Sequence, residues 1–243
     1  MARPTLTVIL GAGPGTGQAI GMAFSKVNSA VALLARRQDS LEQVKQAIEQ
    51  QGGTAQGFSC DATSLESIQQ AFKQIKQTWP NHELKTAIFN VNNPFIMKPF
   101  LDLTMNDLKP GLDINVYGAF HFSQTVIPLL LESKGGGGTL IFSGATASLK
   151  GSSNFVAFSP SKFALRGLSQ SLAREFGPKG VHVCHVVLDG LIDTPLIIDK
   201  MGSSQHGKRL TPKGIADAYV YLASQTKDSW THELDLRPNE EKW

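Results

Sequence analysis

The chain is 243 residues long, 41% hydrophobic and 18% charged, with a formal net charge of +3. That length and apolar content predict one α/β domain over residues 1–243, and the scattering of its Lys and Arg residues argues against a nucleic-acid or membrane-surface partner. No apolar stretch nears the roughly 20 residues of a spanning helix, and the N-terminus enters a strand without signal-peptide regions, so a cytoplasmic protein is expected.

In chain order, residues 5–10 form a continuous apolar run of the kind buried on both faces of a parallel sheet. A glycine-rich turn then opens a helix-period segment at 17–27. Strand 30–35 is followed by helix 41–51, strand 55–60 by helix 65–79, and strand 86–90 by a long helix at 108–131. Strand 139–143 leads to helix 158–176, strand 181–187 to helix 214–224, and an edge strand at 231–236 precedes a tail ending in Trp243. Ser40, Ser64 and Thr211 are placed to cap helices. Regular βαβ alternation predicts a single-domain Rossmann fold, a doubly wound parallel sheet of about seven strands flanked by helices.

Between these elements, the four glycines at 135–138 read as an αβ turn. Residues 199–208 are rich in Gly, Ser and polar side chains, and 191–210 is the expected substrate lid. Cys60 and Cys184 each close a strand-like run and read as buried thiols rather than a disulfide. His121, His182 and His185 have no evident partners for a base or metal site, so they read as structural and no metal is expected.

Directly after the first strand comes Gly11-Ala12-Gly13-Pro14-Gly15-Thr16-Gly17. Glycines there allow a tight turn, close approach of a pyrophosphate and close helix-strand packing, with amides facing the anion from the positive end of the helix. Thr16 takes the third glycine position of G-x-G-x-x-G, and the spacing fits G-x-x-x-G-x-G through Gly11, Gly15 and Gly17. After the second strand, where a carboxylate would hold a ribose 2′-hydroxyl, stand Arg36 and Arg37. Two guanidiniums suit a 2′-phosphate, so NADP(H) is expected over NAD. Asp39 lies past the strand end and suits a helix start.

The glycine pattern, Arg36, Cys60-Asp61-Ala62, Asn90, Asn115, Lys162 and Gly190 together resemble the classical short-chain dehydrogenase/reductase family over essentially the whole chain. The resemblance implies that Asp61, beside Ala62, meets the adenine, that Asn90 stands near the adenosine ribose, and that Lys162 binds the nicotinamide ribose. Residues 189–194 resemble the family's Pro-Gly-x-x-x-Thr loop, with Asp189 for proline and with Gly190, Ile192 and Thr194 beside the nicotinamide. It also implies a homodimer or homotetramer through the helices at 108–131 and 158–176.

Four residues normally make that family's active site, and two match: Asn115 and Lys162. At the tyrosine position of Tyr-x-x-x-Lys this chain has Phe158, and counting back from Leu149-Lys150-Gly151 puts Ala145 at the serine position, with Ser143 or Thr146 open as substitutes. A phenyl ring has no proton to exchange with a carbonyl. The remaining tyrosines are Tyr117, Tyr219 and Tyr221, and rescue by either of the last two would need an unusual fold-back. The implied function is an NADP(H)-dependent oxidoreductase with an altered proton relay, acting on a carbonyl, imine or activated alkene of a small to medium organic substrate. The alternative is an inactive NADP(H)-binding sensor or structural partner subunit.

Overall fold

The computed structural model describes residues 3–91, 93–133, 137–205 and 207–241. Seven strands run parallel in one sheet: β1 (Thr5–Leu10), β2 (Ser29–Ala35), β3 (Ala55–Ser59), β4 (Glu83–Phe89), β5 (Thr139–Ser143), β6 (His182–Leu188) and β7 (Glu233–Leu236). Their order is β3-β2-β1-β4-β5-β6-β7. The order reverses between β1 and β4, the switch point at which open α/β sheets leave a crevice outside the carboxyl ends of the strands.

The apolar strands bury both faces because period-two alternation hands successive side chains to opposite helical layers. Val8 and Leu10 of β1 join Phe89, Phe122 and Leu165 on one face, packed by α3 (Leu65–Thr78), α5 (Ala119–Leu131) and α6 (Ser159–Phe176). Ile9, between them, joins Ile20, Leu41 and Tyr219 on the other face, under α1 (Thr16–Lys26), α2 (Gln38–Glu49) and α8 (Pro212–Ser224). Cys60, just beyond β3, and Cys184, inside β6, are buried free thiols.

Several expectations are corrected. Helix α2 starts at Gln38 with Arg37 as its N-cap, so Ser40 lies inside the helix, whereas Ser64 and Thr211 cap as expected, accepting from the Ser67 and Gly214 amides. The segment 108–131 is not one helix. It divides into α4 (Met105–Leu112), a π-helical turn (Asp113–Gly118) and α5, and the extra residue of a π-turn re-aims side chains locally. Within the expected lid, Thr194-Pro195 opens a helix, α7 (Pro195–Met201). The segment is tied back on itself by an Ile192–Leu210 bridge and by Arg209 Nη1, which donates to Asp193 Oδ1 at 3.0 Å. Part of the glycine run and Trp243 lie outside the described residues. Among the described residues no helix is long and apolar enough to cross a membrane.

Candidate active site

The glycine loop is shaped by contacts within the chain. The Gly11 and Ala12 amides both donate to the Leu34 carbonyl, at 2.8 and 3.1 Å, which draws the end of β1 against β2. Gly11 lies at φ +97°, and a Cβ there would stand 2.3 Å from the Asn90 carbonyl oxygen. A Cβ on Gly17 would meet the Gly11 carbonyl oxygen at 2.5 Å. A Cβ on Gly13 would meet nothing within 4 Å, so that position opens onto the cleft. Gly15 caps α1 without a side-chain hydrogen bond, and the first turn of α1 turns its positive end toward the same space.

That space is one cleft of about 1280 Å³ across the carboxyl ends of the strands. It brings together Gly11, Thr16, Gly17, Arg36, Arg37, Asp61, Ala62 and Asn90 at one end, and Ala145, Phe158, Lys162, Gly190, Ile192 and Thr194 at the other. Gly15 lies just behind the lining, where a Cβ would be 3.0 Å from Thr194 Cγ2. Arg36 and Arg37 are exposed at the end of β2. Asp61 Oδ1 accepts from the Thr63 amide (2.9 Å) and hydroxyl (2.8 Å). Asn90 bridges two strand ends: its Nδ2 donates to the Gly11 carbonyl and its Oδ1 accepts from Ser143 Oγ, at 3.1 and 2.8 Å.

At the other end, Phe158 is the N-cap of α6, and Lys162 follows one turn later on the same face. Lys162 Nζ donates to the Ser143 carbonyl at 3.2 Å and lies 5.9 Å from the Phe158 ring centroid. Burial pushes Lys162 down to about 8. Asn115 sits in the π-turn behind the cleft wall, fully buried. Its Nδ2 donates to Asn93 Oδ1 (2.9 Å) and Ser161 Oγ (3.1 Å), and its Oδ1 has no hydrogen-bond partner among the described residues. The buried Asn115 carbonyl oxygen thus keeps its acceptor capacity.

Ala145 presents a methyl group to the cleft, and its amide donates to Ser148 Oγ at 3.1 Å. The Ser143 hydroxyl gives its proton to Asn90, so the Tyr219 hydroxyl, 2.7 Å away, donates to Ser143. Thr146 Oγ1 donates to Asp189 Oδ1 at 2.5 Å, and Arg237 Nη2 pairs with the other Asp189 oxygen. Of the nearby hydroxyls, Ser148 serves an internal bond, while Ser143 and Thr146 line the cleft with their protons committed to Asn90 and Asp189.

Three relationships were not read from the sequence. Tyr219 reaches Ser143 across 76 residues without any unusual fold-back, yet it does so from beneath the sheet, outside the cleft lining. Its burial pushes the hydroxyl well above the ordinary range. Asp189 and Arg237 pair across 48 residues, and only a lone charge on an apolar strand end hinted at it. His185 does have a carboxylate partner: its Nδ1 lies 3.0 Å from Glu233 Oε2, and Glu233 in turn accepts two bonds from Arg166, at 2.7 and 2.8 Å. Among the described residues no group of three or more His, Cys, Asp or Glu stands close enough to hold a metal.

The model of the short chain dehydrogenase family matches residues 5–202. The chain belongs to that family. It is 25% identical over 233 residues to an uncharacterized oxidoreductase of Staphylococcus aureus, covering 96% of each protein. A short-chain dehydrogenase structure from Rhodopseudomonas palustris is 30% identical, with a TM-score of 0.81 and coverage of 97% of this chain and 99% of that one. A metagenomic short-chain oxidoreductase solved in complex with NADP shares the fold at 22% identity and a TM-score of 0.82, over 98% and 99% of the two chains.

Proposed function

We propose that this protein is an NADP(H)-dependent oxidoreductase with an altered proton relay, reducing a carbonyl, imine or activated alkene of a small to medium organic substrate. The observation that carries this reading is the cleft itself: a glycine loop and helix N-terminus at one end, and at the other Lys162 beneath a Phe158 ring that has no hydroxyl. NADPH, when bound, supplies the hydride. Gly13, open to the cleft, and the first turn of α1 suit its pyrophosphate. Arg36 and Arg37 at the end of β2 suit its 2′-phosphate, and the NADP complex of a protein with this fold supports that choice.

In this reading Phe158 and Ala145 stand where the family carries tyrosine and serine. Lys162 orients the ribose, Asn115 holds a water through its open Oδ1, and Gly190, Ile192 and Thr194 border the nicotinamide. Removing a general acid costs on the order of 10² to 10⁴ in rate, so simple ketones are slow substrates. Tyr117, Phe120, Leu129, Leu131 and Phe163 are large apolar side chains exposed on the π-turn, α5 and α6, which suits a homodimer or homotetramer through these helices. Buried, unpaired cysteines fit a cytoplasmic setting.

The test is a fluorescence titration of NADPH and NADH against the wild type and Arg36→Ala. Tight NADPH binding weakened by the substitution supports the assignment. No binding of either nucleotide would refute it. Binding without turnover across ketone, imine and enone panels would instead make the protein a nucleotide-binding partner.

A further inference from the structure

We propose, resting on the oxidoreductase reading above, that the substrate end of the cleft takes a protonated imine and the amine formed from it, with Thr146 Oγ1 as hydrogen-bond acceptor for the N–H and the rings of Phe95, Phe155 and Phe158 around the cationic nitrogen.

The polarity of Thr146 follows from what lies behind it. The Arg237 guanidinium pairs with Asp189 and holds it as a carboxylate, which can only accept. The Thr146 hydroxyl proton therefore goes to Asp189 Oδ1. A hydroxyl has one proton and two lone pairs, so what Thr146 offers the cleft is acceptor capacity. It can receive an N–H from a substrate, and it cannot donate to a carbonyl oxygen. At the two neighbouring positions a methyl group (Ala145) and a phenyl ring (Phe158) also provide no side-chain donor.

Three phenyl rings line the same end of the cleft. Phe95 stands at 77° to Phe155 with centroids 5.3 Å apart, and at 69° to Phe158 with centroids 5.5 Å apart. The rings pack edge to face on one another, and a cation against a ring face left open to the cleft is attracted by its quadrupole. The charged groups around this end are Lys162, which lines the cleft with its Nζ 5.9 Å from the Phe158 ring centroid, Lys200 of α7, also in the lining, and the Asp189–Arg237 pair behind Thr146.

The chemistry balances without a protein acid. The carbon of a C=N⁺–H group accepts a hydride from a dihydronicotinamide, the C=N π electrons move onto nitrogen and cancel its charge, and the N–H stays where it was. The products are a neutral amine and the oxidised nicotinamide. A ketone taking the same hydride leaves an alkoxide that must be protonated, and the side chains at 145, 146 and 158 offer no proton for it.

The test is calorimetric titration of the protein, with and without saturating NADPH, using three compounds that share one bicyclic frame: 1,2,3,4-tetrahydroisoquinolinium (cation with N–H), its N,N-dimethyl derivative (cation without N–H) and isochroman (neutral ether). The expected order of affinity is tetrahydroisoquinolinium, then the dimethyl cation, then isochroman, with about tenfold or more between the two cations. Thr146→Val should narrow the gap between the two cations by about tenfold, and Thr146→Ser should preserve it. With NADPH, 3,4-dihydroisoquinoline should be reduced faster than 1-tetralone. Equal or tighter binding of isochroman, an unchanged gap in Thr146→Val, or faster reduction of 1-tetralone would each overturn the proposal. NADPH binding in the same titrations reports on the oxidoreductase reading separately, because the amine series is also run without nucleotide.

Discussion

Lys162 Nζ donates to the Ser143 carbonyl oxygen at 3.2 Å while standing 5.9 Å from the centroid of the Phe158 ring. The cation is thus fixed under the ring by a strand that ends in the cleft, and its place does not depend on a phenol above it. Burial draws Lys162 down to about 8, so near neutral pH the charge largely remains. A nearby positive charge favours the ionised form of an acid. The setting that would tune a tyrosine is therefore present beneath a residue that has no proton to tune.

Ala145→Ser combined with Phe158→Tyr should accordingly raise NADPH-dependent reduction of 1-tetralone by about 10² to 10⁴, while Ala145→Ser alone leaves the acid missing and the rate low. Steady-state NADPH oxidation, with thermal melts to confirm folding, checks it. A folded, NADPH-binding double variant with the wild-type rate would remove Phe158 from the proton-transfer position.

The glycines of the loop divide by what surrounds them. Gly11→Ala forces a side chain into φ +97° and puts its Cβ 2.3 Å from a backbone oxygen, and should cost at least about 2 kcal/mol of stability. Gly13→Ala meets no protein atom within 4 Å and should leave the melting temperature near that of the wild type. Because Gly13 lines the cleft, its methyl should instead weaken NADPH by about tenfold or more. Melting curves and NADPH titrations of the two variants should therefore move in opposite columns: stability for the first, affinity for the second.

The sheet was legible because each strand has a local cause. Residues 5–10 and 139–143 are short apolar runs bounded by turn residues, and the observed strands have those same limits. The glycine loop and the Phe158–Lys162 offset were legible for the same reason, since one turn of helix separates them. The break between α4 and α5 was not, because the apolar pattern runs on through it. The π-turn depends on distant residues: Asn115 is bonded to Asn93 and Ser161, and Gly118 packs so close to the Ala62 carbonyl that a Cβ would approach it to 2.4 Å. Tyr219 bonding Ser143 and Arg237 pairing Asp189 are products of strand order, and no local pattern carries strand order. The helix at Pro195–Met201 is a different case: its Thr-Pro start was readable, but at seven residues it is too short for a helical period to show before the polar run at 202–208.

The buried His185 should make stability depend on pH. Burial pushes it from 6.5 down to about 4, against the opposing pull of Glu233. A group whose folded pKa is depressed takes up its proton in the unfolded chain first. The stability tied to its neutral form is therefore complete above pH 6.5 and is lost as pH falls from 6.5 toward 4. The loss amounts to about 3 kcal/mol. Glu233, held low first by its Arg166 hydrogen bonds, shifts in the same direction. Urea unfolding at pH 7, 5.5 and 4.5 should show the decline, and His185→Asn, which keeps a donor for Glu233 without titrating there, should be less stable at pH 7 yet much flatter across the series.

The Asp189–Arg237 pair is the sharpest case of a charge that needs its partner. Asp189 is buried at the end of β6, and both side chains are largely withdrawn from solvent. Removing Arg237 leaves the Asp189 carboxylate without its cation in a poor solvent, which costs about 3 to 5 kcal/mol. Arg237→Leu should fall in that range. Asp189→Asn added to Arg237→Leu removes the stranded charge while leaving an oxygen to accept from Thr146, and should recover at least about 1 kcal/mol of the loss. Urea unfolding of the wild type, both single variants and the double variant closes the cycle. Additive losses would mean that the two groups do not act as a unit, and Thr146 would then lose the fixed carboxylate that makes it an acceptor.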